Sequence, residues 1–252
     1  MHLERRRPIG KSDMRTLDLP PPYRVVTLRE VGDAFTYARA HASELGAGTL
    51  VFVGRLDLAE FAVVLEPEEP LAHARCAFYP CMVALWDALA APAPPEKPIV
   101  LEWPDAVYVD GGLIGGGRLG WPDHTDERAI PDWLVFGTVI RTVFVNREES
   151  GLHPLATALA EESFGFVSAE RLVEGFARHL MVVVDRWQEN GFAPIAEEYV
   201  WRLKPASGVR YAIAENGDFG IRHTDEQTQW RSLLPALEAP SWLDPKTGGP
   251  CR

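Results

Sequence analysis

The stretch Glu102-Trp-Pro-Asp-Ala-Val-Tyr-Val-Asp-Gly-Gly-Leu-Ile-Gly-Gly-Gly-Arg-Leu119 carries most of the information about the fold. Two apolar runs, 107–109 and 113–119, flank Asp110-Gly111-Gly112, residues suited to positive φ, and predict a β-hairpin. Gly115, Gly116 and Gly117 follow inside a strand pattern, where glycine weakens the ladder and loses the most entropy on ordering. One reading is close approach of a ligand whose carboxylate or phosphate meets backbone N–H groups. The other is a bulge or a tight packing contact. Trp103, Pro104 and Asp105 read either as a rigid turn or as an aromatic wall and a carboxylate at a pocket mouth.

Working outward, prolines 20–22 end a basic N-terminal tail, and residues 23–27 read as a strand. A helix is expected over 31–45, with Val31, Ala34, Phe35, Ala38, Ala42 and Leu45 on one stripe. Strands follow at 49–53 and 61–65, then a helix from Pro70 to Leu89, a stiff proline connector at 92–98 and a strand at 99–101. An acidic loop at 122–131 precedes a long strand at 133–145. Helices over 169–190 and 194–203 come next, then a hairpin of 209–213 and 219–223. From 239 the chain reads as a Pro- and Gly-rich tail.

Consecutive strands imply antiparallel or mixed pairing, so the fold class is α+β. The expected sheet is mixed and largely antiparallel, with helices packed on one side and a small C-terminal β-containing appendage. The expected division is a tail at 1–19, a main domain at 20–204, the appendage at 205–240 and a second tail at 241–252.

The 252 residues carry 36 Asp+Glu against 25 Lys+Arg, a net charge of −11, which argues against coating nucleic acid or an anionic membrane. No apolar run reaches the ~18 residues of a membrane span. Three cysteines, Cys76, Cys81 and Cys251, do not make a disulfide framework and fit a reducing, cytoplasmic setting. Neither they nor the histidines show a metal-ligand or triad spacing, so no metal site is expected.

The central segment resembles the biotin/lipoate–protein ligase family, whose motif runs Trp-Pro-Asn-Asp, an aliphatic strand, a short turn, a lysine and a glycine-containing strand. Here Trp103-Pro104-Asp105-Ala106, residues 107–109, the turn at 110–112 and Leu113-Ile114-Gly115-Gly116 keep that spacing without a gap. The strand at 134–140 and the helical pair ending at 185–199 are similar to later family elements, so the likeness covers roughly 23–203. The resemblance implies a groove for a biotin-, lipoyl- or octanoyl-type acyl ligand. In active members ATP and Mg²⁺ convert the carboxylate to an acyl-adenylate, and a carrier-domain lysine then takes the acyl group.

This chain departs from the family at the site. Leu113 stands where the motif lysine belongs, and a leucine cannot stabilise charge gathering on carboxylate and α-phosphate. Only Gly54-Arg55-Leu56-Asp57 joins two strands where biotin ligases have a long Gly/Arg loop. The Asn-Val-Asn sequence after the glycine strand is not reproduced at 142–146, and neither the His-Gly loop nor the cysteine of octanoyltransferases is recognisable. Arg55 and Arg118 are the candidate replacement cations. Arg118, five positions after Leu113, faces the opposite side of a regular strand unless a bulge among the glycines reverses it. The ligand-binding candidates are therefore Gly54, Arg55, Trp103, Pro104, Asp105, Leu113, Gly115, Gly116, Gly117 and Arg118. The resemblance implies a divergent ligase or acyltransferase acting on a carrier-protein lysine; the alternative is a non-catalytic acyl- or cofactor-binding homologue. An acidic carrier would need a local basic dock on this acidic chain, supplied in part by Arg55 and Arg118.

Overall fold

The structure, a computed structural model, describes residues 17–29, 32–145, 155–165, 167–224 and 226–251. The expected basic tail before residue 17 and the region of 146–154 lie outside the described residues. A seven-stranded sheet has the order β1-β2-β3-β7-β6-β5-β4. Its strands are β1 (Arg24–Leu28), β2 (Thr49–Val53), β3 (Leu58–Leu65), β4 (Ile99–Glu102), β5 (Ala106–Val109), β6 (Gly112–Gly120) and β7 (Leu134–Arg141). β1 and β2 pair in parallel across α1 (Ala34–Leu45), and every other pair in this sheet is antiparallel.

Both faces of the sheet centre are covered, which explains why β2 reads as an unbroken apolar run. Leu50 and Phe52, with Phe61, Val63 and Phe136, face α3 (Phe78–Ala90) and α4 (Ala169–Asn190) in the main core. Val51, Val53, Ala62, Val64 and Val135 face the other way, onto Ala34, Phe35, Ala38 and Ala42 of α1. α4 then turns at Gly191, φ 77°, into α5 (Phe192–Trp201).

Two helices differ from the sequence reading. The expected start at 31 gives way to Asp33, which is extended and accepts from the Thr36 N–H as an N-cap, so regular helix begins at Ala34. The helix expected from Pro70 to Leu89 divides into α2 (Leu71–Ala74), a 3₁₀ turn (Arg75–Ala77) and α3. Pro80 has no N–H for the Cys76 carbonyl and crowds it, which favours the tighter turn there. The strand expected to reach 145 ends at Arg141; beyond it the Thr142 N–H donates to the Asp57 carbonyl and its hydroxyl to that of Leu56.

The central hairpin forms as expected, with Asp110 at φ 49° and Gly111 at φ 84°. β8 (Val209–Ile213) and β9 (Phe219–His223) form the second hairpin, and β10 (Gln229–Arg231) adds a third strand. This small sheet and α6 (Leu233–Glu238) share the main core through Phe219, Leu233 and Leu237. Buried Arg75 ties the turn down, donating to the Asn216 carbonyl and pairing with Asp218 at 3.7 Å.

Within β6 the register slips by one residue: Val107 pairs with Gly115, but Tyr108 pairs with Leu113. Ile114 is the extra residue of a β-bulge, and Gly115 next to it has φ 151°. A Cβ at Gly115 would collide with the Val139 carbonyl of the neighbouring strand. Gly115→Ala is expected to destabilise the protein by roughly 2 kcal/mol or more. Urea unfolding checks this, and an unchanged midpoint at unchanged slope would contradict it.

Candidate functional site

The bulge decides which side chains meet. Without it Leu113 and Arg118 would point to opposite faces; with it both lie on the α1 side of the sheet. Leu113 is fully buried there in a cluster with Leu58, Ala106, Val139 and Trp242. Trp242 comes from the C-terminal stretch expected to be a tail. That stretch folds onto the sheet, with Leu243 bridged to Pro250 and the Arg141 guanidinium donating to the Pro250 carbonyl at 2.6 Å. The Trp242 indole N–H donates to the Gly117 carbonyl at 3.1 Å. Ser241 donates to the buried Asp105 carboxylate twice, from its N–H at 3.0 Å and its hydroxyl at 2.8 Å.

Each glycine of the run makes room for the protein itself. Gly115 passes the Val139 carbonyl, and Gly116 faces the Trp242 indole and the Asp105 carbonyl. Gly117 faces Met82 and Phe136. Of the motif's opening residues, Asp105 and Ala106 meet the C-terminal stretch on this face, while Trp103 and Pro104 serve the core. Trp103 donates to the Tyr79 hydroxyl at 3.1 Å and stacks on Phe219 with ring centroids 4.9 Å apart, joining the small sheet to the core. The Pro104 carbonyl accepts from the Tyr199 hydroxyl at 2.6 Å.

Arg118 borders the groove between α1 and the C-terminal stretch, Arg55 follows β2, and carboxylates hold both. Arg55 donates to both Asp57 oxygens, at 3.1 and 2.8 Å, and lies 3.8 Å from Glu60. Glu60 is buried and accepts from the Ala34 N–H at 2.9 Å, placing its charge at the N-terminus of α1. Arg118, whose side chain is 12% exposed, donates to Asp33 at 2.9 Å and lies 4.3 Å from the centre of the Phe35 ring. Gly54 borders open space. Lys97, the nearest lysine before the motif, is held by Asp110 and Glu162 at 2.6 and 2.8 Å.

The sequence reading missed Phe35 and Arg39 of α1, Glu60 and Trp242. The signal for Trp242 was a large aromatic in a short polar tail, a residue that is costly to leave in water. Arg39 is recognisable only in three dimensions, since its partner Asp123 lies 84 positions away. A separate cavity of about 880 Å³ lies between α3, the α4–α5 junction and the small sheet, and none of the motif residues lines it. Cys76 and Cys81 stand in its wall, and burial pushes the Cys76 thiol up to about 12, so it stays protonated.

The family model for the biotin/lipoate A/B protein ligase family matches residues 19–201. The chain therefore belongs to that family. It is similar to a biotin protein ligase-like protein of unknown function from Silicibacter sp. TM1040, at 30% identity over 88% of this chain and 99% of that one, with a TM-score of 0.75. It also shares its fold with the biotin protein ligase of Aquifex aeolicus, at 16% identity, 82% and 95% coverage and a TM-score of 0.63. That ligase has also been solved in complex with biotin and ATP. No curated protein matches the chain.

For Asp33 and Asp57, burial acts to raise the pKa, but the neighbouring arginine and local hydrogen bonds outweigh it and hold both carboxyls below their ordinary value. A depressed carboxyl stabilises the fold above its unfolded pKa of ~3.9 and loses that contribution as pH falls through the lower folded value. Glu60 is shifted upward, chiefly by burial, and works in the opposite sense, because its protonation relieves a buried charge. Asp33→Asn keeps a competent N-cap and removes the charge, so its stability should fall less steeply than wild type below about pH 4. Parallel acid-limb slopes in thermal melts would contradict this. Trp242→Ala should cost roughly 3 kcal/mol or more in urea, because it empties a packed site and leaves the Gly117 carbonyl without its indole donor.

Proposed function

We propose that this chain is a non-catalytic member of the ligase fold that binds a small acyl-type carboxylate without adenylating it. The observation that carries this reading is Leu113 beneath Trp242: the position of the motif lysine is a fully buried leucine covered by an indole. Activation by ATP gathers negative charge on carboxylate and α-phosphate, and one preorganised donor there is worth about 3 kcal/mol of barrier. Leucine supplies none, and Arg55 is committed to Asp57 and Glu60. The residues present at this end of the groove do not fit ATP with Mg²⁺.

Biotin-, lipoyl- and octanoyl-type acids are the ligands to try first, and a cytoplasmic setting suits a chain with three free cysteines. Carrier modification gains little support, because Asp57 and Asp33 neutralise the two arginines that would supply the basic dock. A second reading, ligase or acyltransferase chemistry, draws on one observation: the bulge brings Arg118 to the same face as Leu113, where a cation would be needed.

ATP–pyrophosphate exchange with biotin, lipoate and octanoate separates the two. The binding reading expects no exchange with any acid, while at least one acid raises the melting temperature. Exchange that disappears in Arg118→Gln would establish the ligase reading instead. Absence of both exchange and any thermal shift would sink the binding reading.

A further inference from the structure

Beside Trp242, between α1, the end of β6 and the C-terminal stretch, lies a cavity of about 590 Å³. Phe35, Trp121, Leu237 and Leu243 give it apolar walls, and Arg39 and Arg118 enter it from α1 and β6. Both guanidiniums gather on Phe35, with their central carbons 5.9 and 4.3 Å from the ring centre. The sheet leaves space for this arrangement. A Cβ at Gly120 would lie 2.8 Å from Arg39 Cδ, and one at Gly137 would lie 2.6 Å from the Phe35 ring.

Two cations side by side repel, and an apolar wall strengthens the repulsion by excluding water. Each touches one carboxylate, through a single terminal nitrogen: Asp33 at 2.9 Å for Arg118, which also feels the charge of Glu60, and Asp123 at 2.8 Å for Arg39. Those carboxylates point outward, with side chains 47% and 80% exposed, so solvent weakens their hold. The Nε of each arginine is buried with no hydrogen-bond partner.

We infer that this cavity binds the carboxylate of a small organic acid between Arg39 and Arg118, with the acid's apolar body against Phe35, Trp121 and Leu243. A planar carboxylate matches the guanidinium fork. A monoanion also suits the mouth better than a phosphate dianion, because Asp123 and the exposed Glu238 stand there. The inference rests on the binding reading above and names the group that the site recognises, placing the charged head beside β6 and α1 and away from Leu113.

Calorimetry on the full chain with benzoate and the isosteric benzamide tests it. Benzoate should bind, more weakly as salt rises, and benzamide at least about tenfold more weakly, because the amide lacks the charge-assisted bonds. Arg39→Gln, at a half-exposed position that tolerates the change, and Arg118→Gln should each weaken benzoate by roughly tenfold and leave benzamide alone. Arg118→Lys should retain part of the affinity. Equal binding of acid and amide, binding of neither, preference for inorganic phosphate, or wild-type benzoate affinity in both Gln variants would overturn the inference. Benzoate selectivity together with ATP–pyrophosphate exchange would leave this site standing and remove the non-catalytic reading. No exchange, a thermal shift with one of the larger acids and no benzoate selectivity would remove only this site.

Discussion

Within the paired stretch Gly112–Gly116 of β6, Ile114 is the residue without a partner on β5, and the geometry of the whole α1 face follows from that insertion. A strand alternates its side chains strictly, so one extra residue exchanges the faces of everything beyond it. Leu113 and Arg118 thereby share a face, Gly116 presents bare backbone to the Trp242 indole, and Gly117 offers the carbonyl that the indole reaches. The bulge needs glycine at 115, because Val139 on β7 leaves no space for a side chain. The glycine run is thus one packing solution in three parts, and its last consequence is a C-terminal segment docked where a motif lysine would need room.

Charge on this face is distributed by pairing. Arg55 with Asp57 and Glu60, and Arg118 with Asp33, form a continuous line around the first turn of α1. Glu60 sits at the positive end of the helix and Asp33 caps it, so the helix start, the sheet and both arginines are electrostatically coupled. Such pairs hold geometry more than they add stability, since Asp33 is half in water and Asp57 partly so. Arg39 and Arg118 meet on Phe35, each paired with a carboxylate that faces solvent, and the proposed preference for a carboxylate rests on that arrangement despite the chain's net charge of −11.

Much of the fold was legible because its signals are local. The turn at 110–112, the hairpin at 209–223 and the helix at 169–190 depend on turn residues and periodicity within a few positions. Helix starts were less legible. Asp33 moved one by capping, and Pro80 split another, because a single side chain or a missing N–H can outweigh an apolar stripe. The candidate site divided along the same line. Leu113 in place of a lysine is a fact of the sequence, and so is the short link at Gly54-Arg55. Trp103 pointing into the joint with Phe219, Asp105 holding Ser241 and Arg39 meeting Arg118 each join residues far apart in the chain.

The sequence by itself determined the family, the order of strands and helices, and the loss of the motif cation, because each is written in residue identity and short-range spacing. The tertiary structure alone decided what fills the space that loss leaves. Whether Arg118 shares a face with Leu113 depends on a one-residue slip against a neighbouring strand, and the sequence names the glycines that permit it without locating it. Whether residues 239–251 stay in solvent or cover the groove depends on burying one indole against backbone supplied from 125 positions away. Burial and long-range register are properties of the assembled sheet, and no local pattern encodes them.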